Sequence, residues 1–186
     1  TAQERQGEYA QVGIFNHDWQ HGLRDLGIIP AAEVVQLSRG FMTEDVHIEI
    51  NERIFEYDQL IICGPVYPHE VVGFSGGNKY LFPGISGAQI TNLTHWLAGL
   101  IGNLNIIGYN DTPVRRLLDR VATFIPIPKA CFSLVIKGES SIAGLYFGSP
   151  EESQAAAAAL SAQINVRYVN RTYHTVLSVM PTIYDD

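Results

Sequence analysis

The chain has 186 residues, of which 46% are hydrophobic and 17% charged, and its formal net charge is −7. That balance fits one large globular domain with a sizeable core and excludes a disordered chain. The acidic surplus argues against nucleic acid or an anionic membrane as a partner, and no apolar run approaches the ~20 residues that span a bilayer.

Thr1 is expected to cap a first helix running to residue 12, with Glu4 at the capping-box position. The polar opening TAQERQGEYA is not a secretion signal, which makes a cytoplasmic location the expectation. Residues 16–27 are mixed in pattern, with a short helix predicted after Asp18. Residues 33–38 and 46–50 alternate as strands do, and residues 51–57 read as a short helix. Residues 59–64, QLIICG, form a continuous apolar run, typical of a strand buried on both faces of a parallel sheet. Cys63 and Cys131 sit in apolar runs and are expected as buried, reduced thiols; no Cys/His cluster suggests zinc.

A glycine-rich loop covers residues 65–87, and a helix is predicted over residues 88–98. Pro113 takes the first position of a helix to residue 124, with Leu117, Leu118, Val121 and Phe124 on one face. Pro126 and Pro128 end that element. Strands follow over residues 131–137 and 142–147. Ser149 as cap, Pro150 at the first position and then Glu151 and Glu152 announce a helix to residue 163. Further strands are predicted over residues 165–169 and 175–179. The alternation predicts an α/β fold: a largely parallel or mixed sheet flanked by helices, with the glycine-rich loop following a buried strand. Residues 1–174 are read as one α/β domain that is incomplete at its N-terminus, and residues 175–186 as the start of a linker or second domain.

Residues 68–87 read PHEVVGFSGGNKYLFPGISG, with glycines at Gly73, Gly76, Gly77, Gly84 and Gly87. Glycine at this density permits positive φ and close backbone approach, and a loop at the carboxyl end of a strand is where α/β sheets bind ligands. Exposed amides in such a loop suit a phosphate. The P-loop pattern fails, because Asn78 stands where glycine should precede the lysine and Tyr80 replaces Ser or Thr. The Gly73-Phe74-Ser75-Gly76-Gly77 string fits a hydrolase nucleophile elbow, with Asp119 and His174 following in triad order. However, Pro68 separates Ser75 from the strand, and glycines rather than a helix follow it. A purely structural loop and a non-catalytic nucleotide- or phosphate-binding module remain further readings.

The same loop, with His69 ahead of GFSGG, Lys79 after it, the Pro83-Gly84 pair and His95 in the next helix, resembles the nickel-dependent lactate racemase family. FNHDW near the start, DTPVRRLLDR from Asp111, GLYFGSPEES from Gly144 and YHTVLSVMPTIYDD near the end extend the resemblance over most of the chain. It implies the cofactor-carrying domain of a racemase or epimerase of lactate or a related 2-hydroxy acid. Lys79 would hold a nickel-pincer nucleotide through a thioamide, and His95 would ligate the nickel. His69 would be one of two histidines exchanging the hydroxyl proton, while the α-hydrogen moves as a hydride to the cofactor and returns to either face. Ser75, Gly76 and Gly77 would cradle the nucleotide phosphate. The implied partners are the 2-hydroxy acid, cofactor-maturation enzymes and a C-terminal domain.

The resemblance departs at Asn78, where proline or arginine is common, and at Thr94, where asparagine is frequent. The family's second catalytic histidine, in a His-Arg motif, its carboxylate-binding residues and a C-terminal lysine motif belong to segments outside these residues, so this chain by itself is expected to be inactive. His17, His21, His47 and His174 carry no motif, and His47 is expected on a strand facing solvent.

Overall fold

A computed structural model of the chain describes residues 7, 9–138, 141–177 and 179. The predicted first helix lies largely outside them; Tyr9 to Val12 form a turn in which the Val12 amide donates to the Tyr9 carbonyl at 2.9 Å. No short helix follows Asp18. Its carboxylate instead accepts from the Gln20 amide and contacts the His21 ring, each at 2.9 Å, which closes a bend before β1 (Leu23–Ile29).

The alternation over residues 33–38 predicts a strand, but these residues belong to a helix, α1 (Ala31–Leu37). Pro30 stands at its N-cap, and good helix formers, Ala31, Ala32 and Glu33, fill the first turn and outweigh the β-branched pair Val34-Val35. The Ala31 amide donates to the Asp45 carboxylate at 2.7 Å, so the next strand's approach holds the helix start. That strand, β2 (Val46–Asn51), runs antiparallel to β1 with a bulge between Asp25 and Gly27. Its alternation is realised: Val46, Ile48 and Ile50 are fully buried while His47 faces out. A 3-10 turn (Glu52–Glu56) is capped by the Asn51 side chain, close to the expected short helix.

β3 (Leu60–Pro65) pairs parallel with β6 (Lys129–Lys137), which pairs antiparallel with β7 (Ser141–Gly148). The sheet is therefore mixed, with β3 at an edge. Among the described residues only one of its faces is covered. α4 (Pro150–Asn165) packs on β6 and β7, and Cys131, Ser133 and Val135 point toward it. On the other face Ile61, Leu145 and Phe147 stay 66%, 59% and 67% exposed, and Cys63 is exposed as well. Two expectations fall here: QLIICG is buried on one face only, and Cys63 is not a buried thiol. Cys131 is buried as expected.

Between β3 and β6 lie two short strands, β4 (Pro68–His69) and β5 (Gly73–Phe74), a 3-10 turn (Gly77–Tyr80), α2 (Ala88–Ile101) and α3 (Pro113–Ala122). Thr112 caps α3 by accepting from the Arg115 amide, and Ser149 caps α4 by accepting from the Glu152 amide, the latter as its sequence announces. α2 packs on β2, and α3 packs on α1 and α2, around the larger core. A smaller core of Val66, Phe74, Val135, Ala157 and Ala158 lies under α4. The predicted strands near the C-terminus do not form among the described residues. α4 extends to Asn165, whose side chain donates to the Ile136 carbonyl at 3.2 Å, and beyond it Tyr168, Val176 and Leu177 are 80% or more exposed with no described strand to pair. Residues 180–186 lie outside the described residues.

Candidate functional site

The glycine-rich loop is folded into both cores at once. Val71, Val72, Leu81 and Phe82 belong to the larger core, and Phe74 belongs to the smaller one. β4 and β5 pair Pro68 with Phe74 and His69 with Gly73. Gly73 has φ +89°, and a Cβ there would stand 1.8 Å from the Tyr109 carbonyl oxygen, so only glycine fits. Gly76 and Gly77 also have positive φ. Their Cβ positions are taken by Val66, the Pro150 carbonyl and Gln154. The glycine requirement at both therefore arises from packing against Val66 and the start of α4.

Ser75 spends its hydroxyl on the loop itself: Oγ donates to the Pro65 carbonyl at 3.2 Å and accepts from the Tyr67 amide at 2.9 Å. Asp119 accepts from Asn78 at 3.0 Å and lies 3.9 Å from Arg115. Ser75 and Asp119 thus bind other groups, His174 lies in the exposed C-terminal stretch, and the hydrolase triad is not assembled among the described residues.

Lys79 occupies the 3-10 turn, half-buried. Burial and the nearby Arg115 guanidinium push its amine below the ordinary lysine range, with Glu70 opposing them. Below it lies a network that sequence reading missed. Asn78, fully buried, donates to Asp119 at 3.0 Å and to Glu151 at 2.6 Å. Arg115, 5% exposed, donates to the carbonyls of Gly76, at 3.2 Å, and Phe74. Gln154 donates to the Ser75 carbonyl and to Asn110. Burial raises the Asp119 carboxyl above its usual range despite the Arg115 charge. The sequence held one signal of this network: Arg115 and Asp119 are four apart on α3, and Arg115 falls among its apolar positions.

His69 accepts the Val71 amide on Nδ1 at 3.1 Å. A neutral His69 therefore carries its proton on Nε2 and presents a donor there. Burial holds it below the usual histidine range, and the positive charges of Lys79, His95 and Arg115 act in the same direction against Glu70. Charges from the loop, α2 and α3 thus all act on His69. His95, exposed on α2, donates from Nδ1 to the Thr91 carbonyl at 2.7 Å. That leaves Nε2 bare, with its lone pair available to a metal. The site thus offers a depressed lysine amine, an imidazole donor and an imidazole lone pair.

His17 is structural: its ring bonds the Ser86 carbonyl at 2.9 Å and Asn51 at 3.0 Å, tying the N-terminal segment to β2. A cavity of about 480 Å³ runs along β3, lined among others by Phe15, His17, Arg53, Ile61, Cys63 and Tyr80. His69, Lys79 and His95 do not line it, so the glycine-rich loop's histidine and lysine lie outside this cavity.

Fold and site together define an α/β domain that presents a half-buried lysine in a glycine-rich loop, with His69 in the same loop and His95 on α2. The chain belongs to the lactate racemase N-terminal domain family, whose model matches residues 9–103 and so includes the loop and His95. A crystal structure of a protein from Thermotoga maritima is similar over 84% of this chain and 40% of its own, with 29% identity and a TM-score of 0.75. The lactate racemase apoprotein from Thermoanaerobacterium thermosaccharolyticum shares the fold over 88% of this chain and 38% of its own, with 22% identity and a TM-score of 0.69. The chain thus spans about two fifths of the length of these solved structures. No curated protein sequence matched it.

Proposed function

We propose that this chain is the cofactor-carrying part of an isomerase that interconverts the mirror-image forms of lactate or a related 2-hydroxy acid, using reversible hydride transfer to a nickel-pincer nucleotide. The observation that carries the reading is that Lys79 of the loop and His95 of α2 both act electrostatically on His69, with Nε2 of His95 left bare.

The residues fit the group. Among the described residues no cluster of three or more His, Cys, Asp or Glu could hold a metal by itself. A metal on His95 Nε2 would take its other donors from the pincer ligand. Lys79 would hold that group covalently, since a depressed amine is the nucleophilic form. Gly76 and Gly77 would flank its phosphate through backbone groups, whereas the expected contribution of Ser75 is opposed by its amide and carbonyl being taken by Tyr67 and Gln154. When bound, the cofactor supplies the hydride-accepting centre.

His69 manages the proton at the substrate oxygen. From Nε2 it donates to a hydroxyl or keto oxygen; to take a proton there, the Val71 contact on Nδ1 must be released so that the proton can sit on Nδ1. The second base and the carboxylate contacts would come from the rest of the parent protein, which together with maturation enzymes completes the proposed set of partners.

The test is expression of the full-length parent with cofactor-maturation enzymes, followed by intact mass and nickel analysis beside a Lys79→Ala control. A mass addition lost in the control, with nickel in proportion, is expected. An unmodified Lys79 in matured, folded protein would overturn the reading in favour of a nucleotide- or phosphate-binding module.

A further inference from the structure

We propose that Arg115 is the positioning residue of Lys79: buried in α3, it fixes the backbone that carries the lysine and sets a permanent positive charge near the lysine amine. The inference rests on the assignment of Lys79 as the modified residue and extends it to how that residue is made reactive.

The Gly76 carbonyl oxygen accepts two donors, the Arg115 guanidinium at 3.2 Å and the Lys79 amide at 3.3 Å. The same guanidinium also holds the Phe74 carbonyl. One buried cation therefore grips the chain on either side of Ser75, just ahead of the turn that carries the lysine.

The guanidinium is counterbalanced only in part. Asp119 lies 3.9 Å away, but it also accepts from Asn78, and burial disfavours its charged form. The charged and titratable groups around Lys79 are His69 and Glu70 from the β4–β5 hairpin and Arg115 from α3, with Asp119 of α3 and Glu151 of α4 held on Asn78 beside it. Arg115 is the permanent cation in this set, and like charge in a half-buried site disfavours protonation of the amine. The depressed amine follows from burial together with that placement.

The test needs neither nickel nor cofactor. The full-length parent, expressed without maturation enzymes, is acetylated with a trace of N-acetoxysuccinimide over a range of pH, and the rates at Lys79 and at exposed Lys137 are read by peptide mass spectrometry. The amine attacks the ester carbonyl, the new N–C bond forms as the C–O bond breaks, the N-oxysuccinimide anion leaves, and the amine proton goes to water. The Lys79 midpoint is expected below that of Lys137. Arg115→Gln, which removes the charge, should raise it and cut the neutral fraction at neutral pH by roughly tenfold for each pH unit the midpoint rises. Arg115→Lys, which keeps the charge but not the two-carbonyl grip, should leave it low while lowering Tm. A folded Arg115→Gln protein with an unchanged midpoint would overturn the proposal. If that variant does not fold, Asp119→Asn decides: removal of the counter-ion should lower the midpoint further, and no change overturns the proposal. A low, Arg115-dependent midpoint in a protein that never acquires the cofactor on maturation would support this inference while overturning the functional reading, so the two failures are distinguishable.

Discussion

The carbonyl oxygen of Thr91 lies 2.7 Å from Nδ1 of His95, one turn along α2, and this contact decides which ring nitrogen faces outward. His69 is bound in the opposite sense, since its Nδ1 accepts the Val71 amide. The two histidines should therefore hold opposite neutral tautomers, Nδ1–H for His95 and Nε2–H for His69. Long-range proton–nitrogen NMR at a pH where both are neutral reads this directly; matching tautomers would remove the lone pair assigned to metal binding or the donor assigned to His69.

In the matured full-length protein, His95→Ala should lose nickel while the mass addition on Lys79 persists. Nickel analysis and intact mass on the same sample check it. Retention of stoichiometric nickel would exclude His95 as the protein ligand.

Gly73→Ala should cost roughly 2–4 kcal/mol, since its Cβ meets a backbone oxygen and its φ is positive. Gly40→Ala shares the positive φ but has nothing within 4 Å of the added carbon, so its cost should stay near ~1–2 kcal/mol of backbone strain. Chemical denaturation of the two variants separates a close approach from conformational preference.

Burial raises the Asp119 carboxyl, so the folded chain holds that proton more tightly than the unfolded one. Its contribution to stability is fully present below the unfolded value of ~3.9 and is lost as pH rises through the higher folded value. Asp119→Asn should then be more stable than the parent at neutral pH, with the advantage shrinking as pH falls toward that of the unfolded carboxyl. Denaturation midpoints across this range provide the measurement.

The open face of the mixed sheet exposes Ile61, Leu145 and Phe147, and the Phe147 ring lies 4.6 Å from that of Phe132. Such a surface should bind a hydrophobic dye. Phe147→Ser should reduce dye fluorescence with little change in secondary structure by circular dichroism.

Much of the architecture was legible because local chemistry and tertiary context agree. Ser149-Pro150-Glu151-Glu152 starts a helix in any setting, and Val46, Ile48 and Ile50 alternate as a half-buried strand must. Residues 33–38 mislead because Val34 and Val35 favour a strand, whereas Pro30 and the alanines set a helix start. QLIICG hides the exposure of Ile61 and Cys63, since an apolar run does not reveal whether a layer covers each face. The loop residues His69 and Lys79 stand out by motif. Arg115 and Asn78 fall inside motifs as well and Gln154 in none, but the roles of all three stay hidden because they depend on partners 39 to 79 residues away.

Gly77 packs on the Pro150 carbonyl, and Asn78 bonds Glu151. The far wall of the lysine loop thus comes from residues that leave the ribosome well after it. A nascent chain that has not yet emerged past Gln154 carries Lys79 on an unfinished support.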